Sequence, residues 1–379
     1  MNVPILDLAR TRARIEGELS ARFRRIFDES SFVLGPEVRE FEQAFADYLD
    51  VAACAGLGNG TDALILALRV LGLRAGDEVI VPAFSFFATA EAVALLGGRP
   101  VFCDVDPQTL NLDPVDVEAR IGPRTVGVIG VHLYGRPFDV DAILDLRGRH
   151  GLWLVEDAAQ AHGARWRGKR VGAFGRLAAW SFYPTKNLGC FGDGGAVTGD
   201  EPVLVERARR LGHHGQTGRY HHVAIGTNSR LDSLQAAVLN CRLTTLDADN
   251  ARRREIAARY RANLAGVGDL RFPVDPPEVE AVYHQFAVLT ARRDELQRHL
   301  AAQGIASAVH YPTPLHTQPA WEGIDIGAGD LPVATAAARE SLCLPIFPEL
   351  TDAEADRVAE EVAAFYRCPL AQGRREQPV

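Results

Sequence analysis

The stretch Ser181-Phe182-Tyr183-Pro184-Thr185-Lys186-Asn187-Leu188-Gly189-Cys190-Phe191-Gly192-Asp193-Gly194-Gly195 sets a lysine in a glycine-bounded loop between two strand-like runs, Leu177 to Phe182 and Gly195 to Thr198. An ammonium in apolar surroundings loses hydration energy, so a lysine fixed there points to chemistry. Just upstream, Glu156-Asp157-Ala158-Ala159-Gln160 follows the apolar run Leu152 to Glu156. A lysine amine downstream of a buried carboxylate suits a Schiff base to pyridoxal phosphate, whose ring nitrogen needs a carboxylate to stay protonated. Lys186 is the expected Schiff-base lysine and Asp157 the expected ring partner.

Further upstream, Gly56-Leu57-Gly58-Asn59-Gly60-Thr61-Asp62 opens a helix with Leu64, Ala67, Leu68 and Leu71 on one face. The amides of Gly60 and Thr61, at the positive end of the helix dipole, suit a phosphate. The same residues also read as a plain helix start capped by Asn59 or Thr61. A dinucleotide fingerprint is set aside, because the glycine spacing differs and no clear strand precedes it. From Glu78, strand-like runs (Val79 to Pro82, Pro100 to Val105, Val126 to Val131, Leu152 to Glu156) alternate with helical ones, Phe87 to Leu96 and Val140 to His150. Alternation implies an α/β fold with a mostly parallel sheet flanked by helices, and ligands gather at the carboxyl ends of such strands.

The flanks read as a charged amphipathic helix ending near Ser30 and a helix from Glu37 to Leu49. Beyond the lysine loop, Ser233 through Leu264 reads as one long, bent helix leading into a second domain. That domain alternates again: Gln285 to Leu289 and Ala306 to Val309 as strands, Arg293 to Gln303 as a helix, and a loop His310-Tyr311-Pro312-Thr313-Pro314-Leu315-His316. Helices near Val333 to Ser341 and Asp352 to Tyr366 close the chain, with a polar tail after Pro369. The expected division is an N-terminal segment 1–30, a large domain 31–247 and a smaller α+β domain 248–379.

Asp157-Ala158-Ala159-Gln160, Ser181 through Lys186, Gly192-Asp193-Gly194-Gly195, Gly58 through Asp62 and Gly226-Thr227-Asn228-Ser229-Arg230-Leu231-Asp232 together resemble the DegT/DnrJ/EryC1/StrS sugar aminotransferases. The likeness runs from about Pro4 to about Phe365. It implies a fold-type-I pyridoxal-phosphate transferase, the aspartate-aminotransferase fold, acting as a homodimer with shared active sites. It further implies that Phe86 stacks on the cofactor ring, that Gln160 bonds its 3-hydroxyl, and that Gly60, Thr61, Ser181 and a partner subunit's Asn228 hold its phosphate. Arg230, His310 and Tyr311 resemble substrate-contacting positions in members that aminate C3 of a nucleotide-linked keto sugar, and Arg230 equally reads as a dimer ion pair. The N-terminal segment is expected to lie partly over the site mouth. The amine donor is expected to be an amino acid, with L-glutamate first. A sugar dehydratase of this fold carries histidine in place of the lysine, and Lys186 argues against that alternative. A regulatory binding protein would need a DNA-reading element, and no basic recognition helix is evident.

Composition is ordinary for a globular protein and excludes a disordered or fibrous chain. The chain is 47% hydrophobic and 24% charged, with a formal net charge of −8, which disfavours a nucleic-acid surface. The six cysteines form no C-x-x-C pair, so neither a zinc site nor a redox motif is expected. No run reaches the roughly 18 apolar residues of a membrane span, and Met1 to Arg12 lacks a secretory pattern. A cytoplasmic location is the expectation. His162 stands close to the cluster but ranks below Lys186 as a base, since a freed lysine amine is already in place to move the proton. His213, His214, His221 and His222 show no metal spacing and read as loop residues near a subunit contact.

Overall fold

Short apolar runs form seven strands of one sheet: β1 (Ala53–Leu57), β2 (Glu78–Pro82), β3 (Arg99–Cys103), β4 (Thr125–Val131), β5 (Trp153–Asp157), β6 (Leu177–Ser181) and β7 (Gly195–Gly199). In a computed structural model of the chain, which describes residues 2–327 and 329–367, they pair in the order β1-β7-β6-β5-β4-β2-β3. Only β7 runs against its neighbours; the pairings β6–β5, β5–β4, β4–β2 and β2–β3 are parallel. Helices α1 (Leu8–Glu29), α2 (Pro36–Leu49), α3 (Gly60–Val70) and α4 (Ala88–Leu95) join Val140–His150 and Pro202–Gly212 around it. Strands covered on both faces read as continuous apolar runs, and β2 is buried along its whole length.

The register decides where the site lies. Asp157 pairs with Val131 on one side and Ala179 on the other, while Gly195 pairs with both Ser181 and Leu57. The ends of β1, β5 and β6 therefore share one edge, and the loops carrying Gly60, Gln160 and Lys186 leave from it. β1 corrects the expectation that no strand precedes the glycine loop: it ends at Leu57, directly before Gly58. Its Ala-, Cys- and Gly-rich sequence has no β-branched alternation to announce it. The rejection of a dinucleotide fingerprint then rests on spacing, and on β1 pairing antiparallel to β7.

The long helix expected from Ser233 to Leu264 is two, Ser233–Leu243 and Leu246–Asn263. Thr244 Oγ1 bonds the Cys241 carbonyl and Thr245 Oγ1 the Arg242 carbonyl, a local side-chain alternative that disturbs the helical ladder at that point. The strand expected over Ala306 to Val309 reduces to one bridge, Ala308 to Cys343. The antiparallel pair Phe286–Leu289 and Ser341–Leu344 faces two cores at once. Phe286, Val288, Leu342 and Leu344 join a cluster built from Ile256, Tyr260, Leu296 and Val358, while Ala287, Leu289 and Cys343 pack into the cluster around the central sheet.

α1 packs Leu19 and Ile26 into the core beside α2 and Ser233–Leu243. Its Arg10 meets both oxygens of Glu354 at 2.9 and 2.7 Å, and Arg14 pairs with Asp249 and Glu349. These bonds tie it to the last helix through Glu354, to the segment just before that helix through Glu349 and to Leu246–Asn263 through Asp249, and none of the recorded polar contacts of α1 reaches the site residues. The tail after Pro369 lies outside the described residues. No helix among the described residues is long and apolar enough to cross a membrane.

Candidate active site

β5 delivers Asp157 into the interior at the sheet edge, 7% exposed. Its Oδ2 accepts from Thr89 Oγ1 at 2.8 Å and its Oδ1 from the Ala159 amide at 3.3 Å; Thr89 in turn lies 3.0 Å from Ser85 Oγ. Burial pushes the Asp157 carboxyl above the usual range, opposed by the Thr89 bond, the Ala159 amide and the charge of Lys186. None of the ion pairs recorded among the described residues includes Asp157. A buried carboxylate held by neutral donors alone has capacity for a charged N–H, which a protonated pyridine ring supplies.

Lys186 follows the turn in which its own amide bonds the Tyr183 carbonyl. Beneath it, the Cys190 thiol lies 3.0 Å from the Phe182 carbonyl and 3.1 Å from that of Gly192, and Arg242 donates to the Asn187 and Gly189 carbonyls. Desolvation pushes the Lys186 ammonium down to about 8, while Asp157 acts in the opposite direction. His162, fully buried against Trp180 and Phe182 with neither ring nitrogen hydrogen-bonded, is driven down to about 3 by burial and by the nearby lysine. It stays neutral near pH 7, and a pKa that low makes it a weak proton acceptor beside Lys186.

The loop after β1 forms a cup for an anion. Asn59 caps α3 by accepting the Asp62 amide at 2.8 Å, which leaves the Gly60 and Thr61 amides without an acceptor among the described residues. A Cβ on Gly60 would come within 2.6 Å of the Ser181 Cβ and 3.3 Å of its Oγ. The glycine therefore lets α3 begin directly against the β6 serine. Phe86, 56% exposed at the rim, lies 6.0 Å from the Tyr311 ring and keeps an open apolar surface on which another ring can stack. The ring carboxylate, lysine and amide cup fit pyridoxal phosphate as a set.

Gln160 is buried and bonds Tyr311, whose ring lies beside Phe86, while Lys186 acts on Asp157 and His310; Asp157, Gln160, Lys186, Phe86, His310 and Tyr311 thus come together, as do Gly60, its neighbour Thr61 and Ser181. Asn228 does not join them within the chain: it is exposed and bridges to His213. Arg230 lies against His213 at 3.1 Å, and its neighbour Ser229 accepts the Gly58 amide. His221 and His222 form a short ribbon with Gln216 to Gly218, more ordered than the loop the sequence suggested. Among the described residues no cluster of His, Cys, Asp or Glu is arranged to hold a metal.

The DegT/DnrJ/EryC1/StrS aminotransferase family matches residues 13–363. The chain belongs to this family. Its relatives in the family include the dTDP-3-amino-3,4,6-trideoxy-alpha-D-glucose transaminase of Streptomyces venezuelae, 49% identical over 360 residues that cover 95% of each protein. Streptomyces venezuelae DesV, solved in complex with a ketimine intermediate, matches with a TM-score of 0.94 at 48% identity, covering 97% of this chain and 99% of that one. NtdA from Bacillus subtilis, solved with the bound cofactor PMP, matches with a TM-score of 0.88 at 31% identity over 97% of this chain and 86% of its own.

Two groups of this aminotransferase were not legible beforehand. Thr89, which holds Asp157, is an ordinary threonine in the first turn of α4, and no local pattern marks it. Tyr134, which joins Gln160 to the His310 carbonyl, sits in a loop with no motif of its own. A pH dependence follows from the lysine. Only the neutral amine attacks an aldehyde, and with a midpoint of about 8 its fraction falls about tenfold for each unit below that. Capture of pyridoxal phosphate by the apoprotein, followed by absorbance, is expected to speed up about tenfold from pH 6 to pH 7 and to level off above pH 9. A rate still climbing steeply at pH 10 would show an unperturbed lysine.

Proposed function

We propose that the chain is a pyridoxal-phosphate aminotransferase that moves an amino group from an amino acid, with L-glutamate as the expected donor, to the C3 keto carbon of a nucleotide-linked sugar. The observation that carries the chemistry is one sheet edge holding a desolvated lysine near a buried carboxylate whose hydrogen bonds, among the described residues, all come from neutral donors. The sugar and the position come from the named relatives, whose substrates are transferred here on identity across nearly the whole chain. We place the enzyme in the cytoplasm, with neither nucleic acid nor membrane as partner.

When bound, the cofactor withdraws electron density from the amine-bearing carbon of donor or product. Lys186 would hold it covalently and, once freed, take the proton from that carbon on Nζ and return it. Its lowered pKa leaves part of the amine neutral near pH 7. Asp157 would hold the proton on the ring nitrogen, and Gln160 would donate to the 3-hydroxyl oxygen. Phe86 would cover one ring face, while Gly60, Thr61, Ser181 and the partner's Asn228 would bind the phosphate. Arg230, His310 and Tyr311 would line the sugar side. In this scheme residues 31–247 carry most of the cofactor groups, and 248–379 form the smaller domain that lends His310 and Tyr311.

Protein loaded with pyridoxal phosphate is expected to be yellow, to bleach with L-glutamate, and to regain colour with a 3-keto nucleotide sugar. Colour that survives glutamate, with water lost from the sugar, would favour the dehydratase instead. Amino sugar nucleotides run in reverse against the bleached form would then identify the sugar.

The shared site predicts complementation. An interface with two-fold symmetry is isologous, so each subunit lends what it receives. Lys186→Ala mixed with Asn228→Ala/Arg230→Ala gives heterodimers in which one site collects both lesions and the other is intact. With random exchange about half the dimers are mixed and half their sites work, so about a quarter of wild-type activity should return. If Asn228 and Arg230 serve their own subunit, every site keeps a lesion and mixing restores nothing.

A further inference from the structure

Gln160 lies in a closed ring of contacts. Its Oε1 accepts the Tyr134 amide at 2.7 Å, the Tyr134 hydroxyl donates to the His310 carbonyl, and Gln160 Nε2 donates to Tyr311 Oη at 3.0 Å. His310 and Tyr311 are consecutive, so the path returns to where it began. Tyr134 is fully buried with φ 59 and ψ 12, a backbone conformation that a bulky residue keeps only where its surroundings fix it. The ring spans 151 residues of chain between Gln160 and Tyr311. It joins the sheet edge to a loop that leaves the smaller core at Val309.

The ring also settles which way the Gln160 amide faces. A backbone N–H can only donate, so Oε1 must point at Tyr134 and Nε2 at Tyr311; the reverse orientation would set two donors against each other. Nε2 carries two hydrogens. One is given to Tyr311, and one remains to be aimed.

We propose that Tyr311 is a positioning residue: its hydroxyl holds the Gln160 amide so that the second Nε2 hydrogen is presented to the phenolic oxygen of the bound cofactor. This deepens the pyridoxal-phosphate reading above and rests on it. The family resemblance implied that Tyr311 contacts the sugar; within the chain its hydroxyl meets Gln160. Packing is separable from this role, because the Tyr311 ring lies 6.4 Å from Phe84 and 6.0 Å from Phe86, and phenylalanine keeps those contacts. A hydrogen-bond donor at the phenolic oxygen biases the protonation of the bound chromophore, which can be read without substrate or turnover.

The test loads wild type, Tyr311→Phe, Gln160→Ala and the double variant with pyridoxal phosphate and titrates the visible absorbance against pH. Each single variant is expected to move the midpoint in the same direction by about 0.5 to 1 pH unit, the size of one hydrogen bond. The double variant should move it no further than Gln160→Ala alone, since both changes remove one interaction. Tyr134→Phe, which frees the His310 carbonyl and gives up the hydroxyl's contact with Ser341 while keeping the backbone amide on Gln160, should shift it the same way by less, and serves if Tyr311→Phe does not fold. A wild-type titration in Tyr311→Phe beside a shifted one in Gln160→Ala overturns the proposal, as does a double variant equal to the sum of the singles. Wild-type protein that never turns yellow would instead sink the cofactor reading, and this inference with it.

Discussion

Lys186→Ala is expected to lower transamination by roughly a thousandfold or more, the combined loss of covalent attachment and of a placed proton carrier. The protein has two lysines, Lys169 and Lys186, and they sit in opposite surroundings. Lys169 Nζ donates to the Ala173 carbonyl at 2.7 Å and lies 5.1 Å from the Phe174 ring, on the short hairpin Arg165–Trp166 and Lys169–Arg170. Borohydride reduction of the loaded enzyme followed by peptide mapping should place the pyridoxyl group on Lys186, and a label on Lys169 would reverse the assignment. The loss is also separable from misfolding. A lysine whose folded pKa of about 8 lies below its unfolded value is penalised in the native state wherever the unfolded chain holds it protonated. The apoprotein of the Lys186→Ala variant should therefore melt no lower than wild type at pH 7. Its advantage is full below about pH 8 and fades as pH rises towards the ordinary lysine range. A melting temperature well below wild type at pH 7 would mean that Lys186 is structural.

Asp157→Asn is expected to slow transamination by at least about a hundredfold while leaving the fold intact. Asparagine keeps the volume, and its carbonyl can still accept from Thr89, so the Ser85–Thr89 contact survives. What goes is the negative charge that keeps a proton on the ring nitrogen, without which the ring is a poor electron sink. The same change removes the attraction that props up the lysine, since the Asp157 charge raises the Lys186 pKa. The pH midpoint for cofactor capture should therefore fall below about 8 in this variant. Turnover within a few fold of wild type would mean that another acid serves the ring.

Much of this was legible in the chain, for a physical reason. The strand–helix alternation from Glu78 onward is written in local periodicity, and β2, β4, β5 and β6 fall where the apolar runs placed them. The Lys186 loop, Asp157-Ala158-Ala159-Gln160 and Gly58-Asn59-Gly60 are each continuous segments whose chemistry is local, and they identified the family before any fold was known. Where local signal was thin, the reading slipped. β1, built from Ala, Cys and Gly, takes its strand identity from pairing with β7. The helix break at Thr244 and Thr245 depends on which carbonyls two hydroxyls choose.

The tertiary structure alone decided the orientation of the groups that act. Thr89 reaches Asp157 across 68 residues and Tyr134 reaches His310 across 176, distances over which sequence carries no pattern. The sequence determined which residue types the site has and on which segments they ride. Sheet register brought the ends of β1, β5 and β6 to one edge, and burial then shifted the lysine and the aspartate from their ordinary pKa values, because desolvation is a property of the packed interior.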